Sequence, residues 1–330
     1  MNLLHTHRAD TGICLRPDGL TVLRVKRRWR QPAMVQALIE RPIRSGLLCP
    51  SSTEANIQNV DELAREVAAA AASMRARTVA LSLPDGCASI AILPFESLPK
   101  GERERETVIR WRFQHDRHWT LTDEQLAYRI FPAPDRPPSP EGVSSGGAVT
   151  SYILVTAVKK SILEQYRRLC EQAGLLPVSI GFSSLHAIDV CRRSCGQALE
   201  SFWACQISDR VTFVACRGGV PVFLRGIRVE ENGDVRAELL SSLQSFDDDC
   251  PHGDRPAGSA PAGLYIMSDR MEAQQGCLWE GDVWNPVGLP HWQVEVRDGW
   301  SQHRQTWPSG TVASIGGWCA LASTEAGERA

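Results

Sequence analysis

The first residues of this chain arranged for chemistry lie in an N-terminal hairpin. Two apolar runs, residues 11–15 and 20–25, flank the turn residues Pro17, Asp18 and Gly19. A hairpin that cradles a nucleotide phosphate needs an aspartate to hold magnesium through water. Two residues on, it needs a glycine that lets backbone amides close on the phosphate. The strand that would carry such a pair has Cys14 and Arg16. A thiol does not replace a hard oxygen ligand, and a branched guanidinium stem fills the space that a phosphate needs. The hairpin thus has the skeleton of a nucleotide loop without its ligands.

The other chemistry-bearing groups are weaker. Ser145-Gly146-Gly147 and Arg217-Gly218-Gly219 lack the lysine and following helix of a Walker loop. Asp247, Asp248 and Asp249 with His252 invite a metal reading, but a carboxylate run in a polar loop reads as solvated charge. Glu102, Glu104 and Glu106 alternate with arginines at a helix start, where carboxylates favour the dipole. No serine elbow or His-Glu helix motif occurs, and no histidine has a neighbour in sequence that would make it a base. The eleven cysteines are odd in number and scattered, with no Cys-x-x-Cys and no zinc spacing. Cys14, Cys205, Cys216 and Cys319 sit in apolar runs and read as small core residues; Cys191 and Cys195 read as a reduced pair on a helix face. The expectation is a cytoplasmic protein with no metal and no cofactor.

The elements that must position these groups alternate between strand and helix. With 330 residues, 43% of them hydrophobic, and a net charge of −2, the chain reads as a globular protein of two or three subdomains, with no charge excess that asks for nucleic acid. The apolar stretch 67–72 is mostly alanine and far short of the roughly 20 residues of a membrane span. No charged segment followed by an apolar core opens the sequence, so neither a signal peptide nor an anchor is expected. After the hairpin comes a basic run at residues 24–30, read as solvated, and then a third strand over 33–39. A helix over 62–74 follows, with Leu63, Val67 and Ala71 on one face and Asp61 as its cap. A buried strand over 78–83 ends in the turn Pro84-Asp85-Gly86.

The sequence next predicts a strand over 89–95, a helix from about 101 to 113, and paired strands at 128–131 and 152–158. Between the last two, residues 132–150 are rich in Pro, Gly and Ser and read as a loop. An amphipathic helix over 161–173 has Leu163, Tyr166 and Leu169 on its core side, and Gly174 closes it before a strand starting at Pro177. In the second half, strands are expected around 202–210, 211–216, 220–224 and 264–270, with helices over 235–246 and 311–321.

Several stretches, in this order, resemble the PilM family of type IV pilus assembly proteins. More broadly they resemble the actin-like scaffolds that include the division protein FtsA and the cytoplasmic part of the type II secretion protein GspL. The matching residues are Leu81-Ser82-Leu83-Pro84, Ile92-Leu93-Pro94 with its acidic helix, and Leu154-Val155-Thr156-Ala157-Val158 with the helix to Ala173-Gly174-Leu175-Leu176-Pro177. Ser183-Ser184-Leu185-His186-Ala187-Ile188 extends the match. The resemblance covers roughly residues 9–195 and, more loosely, the rest. It implies an α/β chain of actin-like (ribonuclease H-like) fold with an inserted subdomain and a reduced second domain. The implied divisions are a first subdomain over 1–87, an insertion over 88–177, a return helix over 178–198, a reduced second subdomain over 199–310, and a closing helix and tail over 311–330.

Against the family pattern, Cys14 stands at the aspartate and Arg16 at the glycine of the first phosphate loop. In the second loop, Gln206 stands at the aspartate and Ser208 at the glycine. The Ser-Gly-Gly-Gly of the family is missing from 264–270, and the outer helical subdomain is largely deleted. The resemblance thus implies a degenerate member: a pseudo-ATPase, acting as a non-catalytic scaffold of a type IV pilus or related secretion machine. Its partner would be the cytoplasmic tail of a single-span, PilN-like inner-membrane protein, held in a groove between the insertion and the first subdomain. That places the protein in the cytoplasm at the inner-membrane face, peripheral to the membrane through its partner, and leaves homo-oligomers open. Two alternatives stand beside it: an active actin-like ATPase or sugar-kinase-like enzyme, and a scaffold of a type II secretion system.

Overall fold

The computed structural model of the chain describes residues 9–26, 34–117, 122–134, 149–194, 200–230, 233–249 and 263–268. It opens with β1 (Thr11–Arg16), β2 (Gly19–Lys26) and β3 (Met34–Pro42), then α1 (Val60–Ser73) and β4 (Thr78–Leu83). A single 3-10 turn, Asp85–Cys87, leads to β5 (Ser89–Phe95), α2 (Glu102–Arg117), β6 (Glu124–Pro132) and β7 (Ser151–Lys159). The chain continues through α3 (Lys160–Gln172), β8 (Leu176–Phe182) and α4 (Ser183–Ser194). It ends in β9 (Glu200–Ile207), β10 (Arg210–Arg217), β11 (Val220–Arg228), α5 (Val235–Asp249) and β12 (Gly263–Ser268).

These strands form three sheets among the described residues: β3-β2-β1-β4-β8, β11-β10-β9-β12 and β5-β7-β6. In the first, β1 pairs antiparallel with β2 and parallel with β4, so it is flanked on both sides. Its residues Thr11 to Leu15 are all buried, which is why the sequence is nearly continuous in apolar side chains. Ile13 and Leu15 enter a core beneath α1 and α3, built on Leu63, Val67, Tyr166 and Leu169. Cys14, on the other face, enters a second core with Ala187 and Ile188 of α4 and with Trp203, Cys205 and Ile207 of β9. Helix α4 therefore lies in an apolar layer shared by the first and second sheets. The far face of the second sheet is closed by α5, where Phe202, Phe213 and Phe246 pack together.

Several details differ from the sequence reading. The cap of α1 is Asn59, whose side chain accepts the amide of Glu62; Asp61 lies in the first turn, where its charge suits the dipole. Arg24 is not a solvated strand end, because its guanidinium donates to the Met74 carbonyl and to Asp10. Helix α5 continues through Asp247, Asp248 and Asp249, which therefore form its last turn rather than a loop. Helix α3 packs with α1 in the first sheet's core, and β8 spans the expected boundary at residue 177, so the chain rejoins the first sheet before that point. The expected 132–150 loop narrows, since β6 runs through Pro132 and Thr150 is bonded to Phe95 and Ala133. The expected cap at Gly174 is present, with φ of 71° and its amide donating to the Glu171 carbonyl.

Cys14, Cys205 and Cys216 are buried as expected. Cys195, Cys319, His252 and the closing helix over 311–321 lie outside the described residues, as does the side chain of Cys191. No described helix is long and apolar enough to cross a membrane.

Candidate functional site: a bridged cleft between two hairpin turns

The turns of the β1–β2 and β9–β10 hairpins lie on opposite sides of a shallow pocket. Pro17 comes from the first turn and Ile207, Ser208, Asp209 and Arg210 from the second and its flanks, while Pro50, Pro84, Asp85, Gly86 and Ser183 complete the lining. The pocket measures about 20 Å³. A water needs roughly 10–15 Å³, so the space is that of about one water.

Asp85 forms the back of this pocket and joins three elements. Its Oδ1 accepts the backbone amide of Ser184 in the first turn of α4, 3.1 Å away. Its Oδ2 accepts the hydroxyl of Thr212 on β10 at 2.8 Å, and the Ser184 hydroxyl donates in turn to Thr212 at 3.0 Å. A helix N-terminus offers unpaired amides and a favourable dipole to an anion, and here the chain's own carboxylate takes that place. Burial pushes the Asp85 carboxyl above its ordinary value, opposed by the Thr212 and Ser184 hydrogen bonds and the charge of Arg210. Arg210 packs so closely on Gly86 that a Cβ there would stand 2.9 Å from its guanidinium.

The four residues singled out from the sequence come together only in part. Cys14 is fully buried, with its thiol 3.6 Å from the Ser183 hydroxyl at the start of α4. Ser208 is in the second turn with φ of 55°, the left-handed region that favours glycine. Arg16 does not line this pocket. Its side chain folds back over Gly19, 3.7 Å from Asp18 and beside the Glu40 carboxylate, so Pro17 and not Arg16 lines the pocket. Gln206 is not at the cleft either: strand alternation sets it on the face of Phe202 and Ala204, under α5, and the cleft-side residue there is the apolar Ile207.

Behind the pocket runs a buried polar chain. Ser183 donates to the Leu83 carbonyl at 2.9 Å, Ser82 donates to Ser183 at 3.2 Å, and His186 Nδ1 lies 2.9 Å from the Ser82 hydroxyl. Serine beside histidine has the outline of a nucleophile and its base. Ser82 is sealed from solvent, however, and the imidazole sits directly on Gly181, where any side chain would collide with it. This arrangement ties β4, β8 and α4 together and presents nothing to a substrate. No cluster of metal-ligating side chains occurs among the described residues. Sequence reasoning missed Asp85, Ser184, Thr212 and Arg210; only Asp85 carried a signal, as part of a turn.

No protein-family model and no curated protein matches the sequence. Solved structures do match. A structure of the PilM-PilN type IV pilus biogenesis complex has a TM-score of 0.65 at 14% identity, over 96% of this chain and 99% of that chain. EpsL's cytoplasmic domain, from an inner-membrane component of the type II secretion system of Vibrio cholerae, has a TM-score of 0.46 at 13% identity, over 84% of this chain and 90% of its own. A protein of actin-like ATPase fold and unknown function from Bacteroides thetaiotaomicron has a TM-score of 0.46 at 12% identity, over 81% and 84%. The fold is actin-like, in agreement with the resemblance read from the sequence.

Proposed function

We propose that the chain is a non-catalytic cytoplasmic scaffold at the inner-membrane face of a type IV pilus or related secretion machine. In this reading it captures the cytoplasmic tail of a PilN-like membrane partner in a groove between the β5-β7-β6 sheet and the first sheet. The observation that carries the non-catalytic half is the bridge from Asp85 to Ser184 and Thr212 across the cleft. It joins the two sides of the cleft through the protein's own side chains, at a helix N-terminus that an anion would otherwise approach. Cys14 in place of a magnesium-holding aspartate supports the same conclusion. The partner half rests on the full-length likeness to a protein solved as a PilM-PilN complex.

Thermal melting with millimolar magnesium-ATP tests the first half, and no shift is expected. Ligand at a hundredfold excess over Kd stabilises a fold by about 2.7 kcal/mol, so a clear rise in Tm would overturn the reading. Pull-down with the cytoplasmic tail of a membrane protein encoded beside this chain tests the second half. Enrichment over a scrambled tail is expected; its absence, with folded protein confirmed, would count against the scaffold.

A further inference from the structure

Asp85 is a carboxyl sealed inside the cleft. The turn that carries it is pressed so closely that a Cβ at Gly86 would stand 3.0 Å from Pro50 and 2.9 Å from the Arg210 guanidinium. Its two oxygens reach different elements: Oδ1 takes the Ser184 amide of α4, and Oδ2 takes the Thr212 hydroxyl of β10. The pocket in front has the space of about one water, so an ionised Asp85 would have almost no hydration of its own.

The groups around it leave the pH response to this side chain. Cys87, in the same turn, is pushed up to about 12 by burial and shares a hydrogen bond with Tyr166, whose hydroxyl burial also raises. Helix α4 brings the hydroxyls of Ser183 and Ser184, and the His186 ring, further along it, is engaged with Ser82. From the second sheet come Thr212, the permanent charge of Arg210, and Asp209, which Arg228 holds at 2.7 Å. The β1–β2 turn brings Pro17, with Arg16 and Asp18 on either side of it 3.7 Å apart, and the remaining wall is Pro50. Among the described residues, Asp85 is the buried carboxyl of the cleft.

We propose that the cleft closes with a proton on Asp85, and that the turn at 84–86 and the β9–β10 turn part when this proton is released to solvent. In the closed cleft a charge goes almost unhydrated, whereas water reaches it once the turns part, so the neutral form is the one that closes best. The neutral carboxyl keeps both contacts. One oxygen still accepts the Ser184 amide, the other donates its proton to the Thr212 oxygen, and the Thr212 hydroxyl turns to the Ser184 oxygen 3.0 Å away. Burial favours the neutral form against the Thr212 and Ser184 hydrogen bonds and the charge of Arg210. Linkage then fixes the sign: a proton held more tightly in the closed state stabilises that state as pH falls, and closure weakens as pH rises. The parting is local to the two turns, since α4 stays packed in the apolar layer behind them. This catch rests on the bridge and not on capture of a membrane partner, so either can fail alone.

The Ser184 amide reports the catch directly. It lies in the first turn of α4, where it has no acceptor within the helix, and it is bonded to Asp85. Its hydrogen exchange in the full chain, followed by NMR and corrected for the intrinsic effect of pH, should quicken at least about threefold from about pH 4 to about pH 7, by no more than about tenfold per pH unit. The Ile188 amide, bonded within the same helix, should change much less. In Asp85→Asn, which is neutral throughout and can make the same two contacts, Ser184 should exchange at a corrected rate independent of pH. In Arg210→Gln the carboxyl loses a neighbouring positive charge, so the quickening should move to higher pH. A pH-independent Ser184 in the parent, equal quickening in folded Asp85→Asn, or quickening that stays in place in Arg210→Gln would each overturn the proposal. Equal quickening at Ile188 would overturn it too, because the helix and not the catch would then be opening.

Discussion

The cleft and the β8 edge treat their side chains in opposite ways. At the cleft, Asp85, Ser184 and Thr212 engage one another, and a helix N-terminus that could receive an anion receives a side chain of the same polypeptide. At the edge, Leu176, Val178 and Ile180 are exposed. The difference teaches that this framework engages the polar groups of its centre with one another while leaving apolar side chains of an edge strand exposed.

Changes at the centre should therefore be costly, and changes at the rim should barely register in stability. The largest effect is expected for Trp203→Ala, which empties a fully buried site in the core shared by the two sheets. It should cost about 3–5 kcal/mol, read as a lower urea midpoint. Asp85→Ala leaves the Ser184 amide and the Thr212 hydroxyl without their acceptor, and a loss of about 1–3 kcal/mol is expected by the same measurement. A loss below about 0.5 kcal/mol would show that the bridge contributes little.

The pH dependence sharpens the same point. Because burial raises the Asp85 carboxyl above its unfolded value of 3.8, the folded state binds its proton more readily than the unfolded state does. That contribution to stability is fully present below the unfolded value and is lost as pH rises through the folded one. Asp85→Asn should flatten this part of a stability-against-pH curve; an unchanged slope would mean that other groups produce it. The smallest effect is expected for Val178→Lys, within about 0.5 kcal/mol of the parent, because the residue is exposed and packs on no core. A larger loss would mean that Val178 is covered within the chain itself.

Much of the framework was legible because periodicity reports burial directly. The run at Ile13, Cys14 and Leu15 is apolar on both faces because it has a core on each side, and Tyr166 and Leu169 mark the inner face of α3. The site was less legible. Position along a strand identifies Gln206 with a phosphate-loop residue, but the face it occupies depends on which side of the sheet meets α4. The position of Arg16 beside Asp18 and the Glu40 carboxylate of β3 is likewise hidden in the sequence, because that grouping exists only once the sheet has formed. Thr212 lies 127 residues from Asp85, and nothing local marks a threonine as half of a bridge. The exposure of β8 was hidden for the same reason, since Leu176, Val178 and Ile180 have the composition of a covered strand.

The placement of α4 has a mechanical consequence. A two-part machine that opens and shuts around a ligand needs a compliant joint, and here the joint is occupied by Ala187 and Ile188 wedged among Cys14, Trp203 and Cys205. A pull exerted on either sheet passes through close-packed side chains to the other, with little slack to absorb it. Close packing of this layer opposes independent movement of the two sheets at α4.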